Sequence, residues 1–193
     1  RDYSMANRPD EGALEFYIRC ITGGLSARIA TQLQVGDSIR VSGPFGTSYL
    51  REQHPGPIIA IAGGTGLAPL RSIVSAALIQ DAERPVHLYF GVRGERDIYN
   101  EPELAEWCTR YPNFKAHIVL SDERVAGRRL GMVTDAIRED FDTLAGFHAY
   151  LAGPPAMVDA ATPLLLQAGV AARAIHADAF YNAVDPAAAS VSA

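Results

Sequence analysis

Residues 58–74 read IIAIAGGTGLAPLRSIV, and the fold is decided there. Ile58 to Ala62 form an unbroken apolar run, the pattern of a strand buried on both faces of a parallel sheet. Gly63, Gly64 and Gly66 then interrupt the run, and an apolar helix is predicted to continue to about Gln80. A strand that turns through glycines into a helix brings backbone N–H groups and a positive dipole end to one point, which suits a phosphate. The turn reads G-x-G-x-x-P from Gly64 to Pro69 and lacks the last glycine of the common dinucleotide fingerprint. Proline is tolerated in a first helical turn. By itself the stretch can also be read as a tight strand-to-helix turn that binds nothing.

Downstream the same alternation repeats. Strands are predicted over residues 86–92, 116–120, 149–151 and 174–176, with helices over 101–110 and from the second turn to Ala168. Val133, Ile137 and Phe141 recur at i, i+4 and i+8, the stripe of an amphipathic helix. The fold class is therefore α/β, with a doubly wound, five-stranded parallel sheet. Gly153-Pro154-Pro155-Ala156-Met157 makes a second strand-to-helix turn, and both turns fall at carboxyl ends of strands, where open α/β sheets bind ligands.

Upstream the pattern changes. Leu14, Phe16, Ile18 and Cys20 alternate with Glu15, Tyr17 and Arg19, which predicts a strand with one buried face. Ser26 is placed to cap a short helix to about Leu33, and residues 38–42 read as another strand before the loop Gly43-Pro44-Phe45-Gly46. His54-Pro55-Gly56-Pro57 marks the boundary. Residues 1–55 thus form a β-rich block too short to close a barrel alone, 56–184 the α/β domain, and 185–193 an Ala/Ser-rich tail expected to be disordered.

Composition narrows the function. The 193 residues carry 17 Lys and Arg against 22 Asp and Glu, a formal net charge of −5, which argues against nucleic-acid binding. No run of 18 apolar residues offers a membrane span. Cys20 and Cys108 are too few for a disulfide framework or a four-cysteine metal or iron–sulfur site, and they fit a reducing cytoplasm. Both are read as core or half-buried. The histidines at 54, 87, 117, 148 and 176 are scattered in sequence, and no metal is expected.

Two further segments matter in combination: Arg1-Asp2-Tyr3-Ser4 and Gly23-Gly24-Leu25-Ser26. With the two glycine turns, in this order and at these distances, they resemble the ferredoxin–NADP reductase superfamily over residues 1 to about 181. The segments SGPFGTSYLR, LYFGVRGERDIY and HADAFY are most similar to the reductase components of bacterial aromatic-ring dioxygenases. The resemblance implies an NAD(P)H-dependent flavoprotein that takes hydride onto FAD and passes single electrons to a ferredoxin or iron–sulfur domain and on to an oxygenase component. It places Arg1 at the FAD pyrophosphate, Tyr3 flat on the flavin ring and Ser4 near flavin N5. Ile18 and Arg19 would pass the FAD, while Gly23, Gly24, Leu25 and Ser26 would form its pyrophosphate turn. Gly64, Thr65 and Gly66 match the nicotinamide dinucleotide loop, Gly153, Pro154 and Met157 the second dinucleotide turn, and Phe180 the aromatic that covers the other flavin face. Tyr3, Ser4, Thr65 and Phe180 are the candidate catalytic residues, with Arg93, Asp97, Ser121 and Asp122 added to the cofactor-binding set.

The chain departs from the family pattern at Ala152, where a cysteine is frequent, and at Asp178, where glutamate is frequent. It starts at Arg1, without the barrel strands and the [2Fe–2S] domain that precede this point in relatives, and is read as the C-terminal part of a longer reductase. Ser121-Asp122-Glu123 presents carboxylates where a 2′-phosphate would need cations, which favours NADH, while Arg93, Arg96 and Arg124 pull toward NADPH. The alternatives are a reductase for free flavin or a haem domain, and a nicotinamide-binding module that holds no flavin.

Overall fold

The computed structural model describes residues 1–181, so the tail expected at 185–193 lies outside the described residues. Helix α1 (Leu25–Gln32) belongs to the first block. The alternating region then runs β1 (Ile58–Gly63), α2 (Leu67–Gln80), β2 (Val86–Val92), α3 (Glu101–Arg110), β3 (Phe114–Leu120), β4 (Arg129–Leu130), α4 (Val133–Asp140), β5 (His148–Gly153), α5 (Pro155–Gln167) and β6 (Ile175–Ala179). All the strand pairs are parallel, in the order β4-β3-β2-β1-β5-β6. The sheet therefore has six strands rather than five. The extra one, Arg129–Leu130, is too short to show any periodicity.

Strand β1 is buried along its whole length, as its apolar run requires. Ile58, Ala60 and Ala62 pack with Leu70, Ile73 and Val74 of α2 and Leu104 of α3. Ile59 and Ile61 point the other way, onto Ile137 of α4 and Val158, Ala161 and Leu165 of α5. The period-2 alternation of a strand thus feeds two cores, one on each face. The chain winds outward from β1 to β3, then returns to the far side of β1 with β5. That reversal between β1 and β5 is the switch point of the sheet.

The first block departs from its sequence expectation. Residues 14–20 carry a single antiparallel bridge, Phe16 to Met5, and residues 38–42 lie in no strand. Leu14 is 58% exposed and Ile39 62%. An alternating sequence becomes a strand only when a neighbour satisfies its N–H and C=O groups along its length; residues 14–20 meet the residue 5–7 segment only around Glu15 and Phe16, and residues 38–42 pair with no strand among those described. Ser26 does not cap α1. Gly24 is the N-cap, and the buried Ser26 hydroxyl instead accepts the Ile21 N–H at 2.9 Å. Cys20 and Cys108 are both exposed, because the strand face expected for Cys20 is uncovered and Cys108 lies on the outer side of α3.

The histidines scattered in sequence gather into two stacks. His87 lies parallel to His117, with Tyr89 and Phe141 packed around them. His54 stacks on His148 at 3.8 Å, and His148 on His176 at 6.5 Å. Desolvation by burial is the main cause that lowers the pKa of His87 and of His148, each to about 4. Both rings are neutral when folded and bind protons more readily when unfolded, so stability present above pH 6.5 is lost as pH falls toward 4. Asp178, raised by burial, opposes this near the acid end. Urea unfolding at pH 7.5 and pH 5 should show a clearly lower midpoint at pH 5, and the difference should shrink in His87→Phe.

Candidate functional site

The candidate site residues on the sheet sit at its carboxyl edge. Gly63 ends β1 and Gly153 ends β5, and Ala62 pairs with Ala152 one step before them. The two turns touch backbone to backbone. A Cβ on Gly66 would lie 1.9 Å from the Ala152 carbonyl oxygen, and one on Gly153 would lie 2.8 Å from that of Gly63. Pro154 and Met157 close over Gly63. Gly64 differs from these: its φ is +53° and a Cβ there would meet nothing within 4 Å. Gly66 and Gly153 thus serve the packing of the two turns, while Gly64 keeps its backbone open toward solvent. Neither α2 nor α5 has an acidic residue in its first turn or a side chain capping its start. Two uncapped, uncharged helix starts beside an open glycine fit the pyrophosphate of a dinucleotide.

The amino-terminal tetrapeptide reaches this edge. The Ser4 hydroxyl donates to Asp178 Oδ2 at 3.4 Å, and the Phe180 N–H donates to the Gly153 carbonyl at 2.8 Å. Asp178 is itself in register with Ala152. Ser4, Asp178, Phe180 and both glycine turns therefore converge, with Tyr3 and Thr65 half-buried and Arg1 exposed. Gly23 (φ +76°), where a Cβ would meet nothing within 4 Å, and Gly24, where one would lie 3.2 Å from the Ile21 carbonyl oxygen, form the turn before α1, which again has no acidic first turn and no side-chain cap. That is compatible with a flavin pyrophosphate. Ile18 is half-buried, while Arg19 and Leu25 are exposed, and no hydrogen bond links Gly23, Gly24, Leu25 or Ser26 to the sheet among the described residues.

The loops after β2 and β3 are zipped together. Ser121 N–H donates to the Val92 carbonyl at 2.9 Å and Asp122 N–H to that of Arg93 at 3.0 Å. The Ser121 hydroxyl donates to the Asp122 carboxylate. Asp97 turns its carboxylate back onto the Gly94 N–H at 3.3 Å, and Arg93 is exposed. Glu123, absent from the sequence-derived set, accepts the Glu95 N–H at 2.9 Å.

Sequence reasoning also missed what holds the tetrapeptide in place. Arg71 of α2 makes a bidentate pair with Glu103 of α3 at 2.7 and 2.6 Å, and donates to the Ala6 carbonyl at 2.9 Å. Ser72 donates to the Asn7 carbonyl, and Arg8 to the Ser75 hydroxyl. Tyr99 donates its hydroxyl to the Gly64 carbonyl at 2.8 Å and packs edge-on against Tyr17 and Phe90. The available signal was a lone charge, Arg71, inside an otherwise apolar helix.

Two substitutions separate these roles. Gly66→Ala forces a backbone clash and should cost more than about 3 kcal/mol, on the scale of severe core disruption, whereas Gly64→Ala should cost about 1 kcal/mol from its left-handed backbone alone. Arg71→Ala leaves Glu103 unpaired and should cost roughly 3 kcal/mol. Thermal and denaturant unfolding of the three variants checks both statements.

The comparisons with known proteins accord with this geometry. Residues 60–162 match the oxidoreductase NAD-binding domain family and residues 1–50 the oxidoreductase FAD-binding domain family. The chain is 49% identical over 183 residues to the ferredoxin–NAD(P)(+) reductase component of the naphthalene 1,2-dioxygenase/salicylate 5-hydroxylase systems of Ralstonia sp., covering 94% of this chain and 56% of that protein. It is 43% identical to the corresponding naphthalene 1,2-dioxygenase component of Pseudomonas putida, with the same coverage. Among solved structures, the Amycolatopsis cytochrome P450 reductase superposes with a TM-score of 0.80 at 38% identity, over 92% of this chain and 55% of that one. The chain thus spans about half the length of the curated relatives it matches. With its FAD-binding match, its NAD-binding match and the doubly wound sheet between the glycine turns, the chain belongs to the FAD- and NAD-binding ferredoxin reductase family of oxidoreductases.

Proposed function

We propose that this chain is the flavin- and nicotinamide-binding part of an NADH-dependent ferredoxin reductase that serves a multicomponent aromatic-ring oxygenase. The observation that carries the reading is the convergence of Ser4, Asp178 and Phe180 on the two glycine turns. Residues 1–55 would contribute the flavin side and 56–184 the nicotinamide side. When bound, the reduced nicotinamide supplies an electron pair and FAD accepts it and hands electrons on singly.

The chain's own residues supply alignment. Gly64 and the uncapped starts of α2 and α5 would take the dinucleotide phosphates. Arg1, Ile18, Arg19, Gly23, Gly24, Leu25 and Ser26 would hold the FAD, with Tyr3 against one ring face. Phe180, held by its N–H on the Gly153 carbonyl and half-buried against the core, would cover the other ring face. Asp178 accepts the Ser4 hydroxyl and so orients Ser4 toward the reacting edge. Burial lifts the Asp178 pKa above the usual carboxylate range. Asp122 and the bound Glu123 carboxylate make the β3 edge acidic, which supports NADH over NADPH. The names of the relatives support a ferredoxin and an oxygenase as partners. The [2Fe–2S] centre would lie outside this chain. No described helix is long and apolar enough to cross a membrane, and a cytoplasmic location remains part of the proposal.

A second reading is a nicotinamide-binding module that keeps no flavin. It is favoured by the exposure of Phe45, 83%, within the FAD-matching block. Adding FAD, desalting, and recording the visible spectrum before and after anaerobic NADH separates the two. A retained flavin band that NADH bleaches supports the first reading. Loss of the band with NADH still binding by calorimetry establishes the second. In the flavin-retaining case, Asp178→Ala should slow flavin reduction about tenfold or more while the NADH dissociation constant changes little.

A further inference from the structure

Tyr99, in the loop between β2 and α3, reaches across to the first glycine turn. Its hydroxyl donates to the Gly64 carbonyl at 2.8 Å. The same carbonyl accepts the Leu67 N–H at the start of α2. Gly64 is exposed and has a φ of +53°. Glycine has the most freely turning backbone of any residue, so an untied Gly64–Thr65 peptide would have several orientations open to it.

A trans peptide unit is planar, with its C=O and N–H pointing opposite ways. Holding the Gly64 carbonyl on the Tyr99 hydroxyl therefore turns the Thr65 N–H away from Tyr99. That N–H belongs to the first helical turn, where no earlier helical carbonyl is placed to accept it. A donor so placed suits an anionic oxygen at the helix start.

Tyr99 is braced in turn. Its ring packs edge-on against Phe90 of β2 and against Tyr17, with centroids 5.3 Å apart in each pair. Phe90 is completely buried and in register with Ala62, one residue before β1 ends at Gly63. Tyr17 lies in the FAD-domain match, and its hydroxyl accepts the Asn100 side-chain amide. Asn100 also donates to Glu103 Oε2 at 3.3 Å, and Glu103 is the partner of Arg71. Burial raises the Tyr99 pKa, so its hydroxyl keeps its proton and stays a donor around neutral pH.

We propose that Tyr99 is a positioning residue of the dinucleotide turn: its hydroxyl, braced by Tyr17 and Phe90, orients the Gly64–Thr65 peptide so that the Thr65 N–H faces a bound pyrophosphate. This role rests on the nicotinamide-binding reading of the glycine turns and names the side chain that aims their donor. Tyr99 acts through the turn, so its loss weakens every ligand that carries the pyrophosphate.

The test uses the full chain with FAD supplied in excess, and compares it with Tyr99→Phe, which keeps the ring packing and removes only the hydroxyl. Calorimetry measures the binding of ADP-ribose and of NAD+, and NMR follows the Thr65 amide. Both dissociation constants should rise about five- to tenfold, and by the same factor, because the two ligands share the pyrophosphate. The shift that ADP-ribose induces at the Thr65 amide should shrink, while the unfolding temperature without ligand falls by no more than about 4 °C. Tyr17→Leu leaves the hydroxyl and removes one brace; it should weaken ADP-ribose in the same direction, and it decides the matter if Tyr99→Phe does not fold. Failure of the unmodified chain to bind ADP-ribose overturns the nicotinamide reading and this role with it. Binding by the unmodified chain with the same affinity in Tyr99→Phe overturns the role alone. So does a loss of affinity with the Thr65 amide response unchanged, or one accompanied by a much larger fall in unfolding temperature, which marks a purely structural residue.

Discussion

The structure depends on the close approach of two backbone turns. Strands β1 and β5 are hydrogen-bonded neighbours, and the chain beyond each must turn at once into a helix. With Gly66 packed against Ala152 and Gly153 against Gly63, the two helices start side by side at the switch point. Any side chain at Gly66 would push the β5 turn away and separate the two helix starts. Gly64 lies outside this contact: a Cβ there would meet nothing within 4 Å, and its carbonyl accepts the Tyr99 hydroxyl.

The second constraint is the strap across α2. Arg71, Ser72 and Ser75 hold residues 6–8 by charge-assisted and hydroxyl hydrogen bonds. The bidentate Arg71–Glu103 pair ties α3 into the same network. The strap explains how Ser4 can meet Asp178 when the intervening block offers so little regular structure. Residues of the FAD-domain match and of the NAD-domain match are set against each other through α2, and the joining segment at residues 51–54 adds a second attachment through His54 and Arg51.

Much of this was legible in the residues. A strand buried on both faces must be apolar throughout, so IIAIA announced the centre of a parallel sheet. Glycines at 64, 66 and 153 announced the turns, because glycine takes a positive φ most readily and only glycine permits such close packing. These signals are local: each depends on a few neighbouring residues and on steric rules that hold in any chain. The reach of Ser4 and Phe180 toward those turns followed only from resemblance, since no spacing rule connects residues 4 and 180.

What tertiary structure alone decided is the pairing of distant groups. Residues 14–20 alternate correctly for a strand, yet they carry one bridge, because a strand is defined by the partner it finds. The histidines have no periodic relation in sequence and still form two stacks, because strands side by side in register bring residues on different strands to one face. Arg71 stands alone in an apolar helix and Arg84 in a turn, and the packing decides how far each is buried, whereas Glu123 stays exposed and acts through the Glu95 N–H it accepts. The local pattern determined which segments fold and how they turn; the three-dimensional packing decided which charges lose their water and which partners replace it.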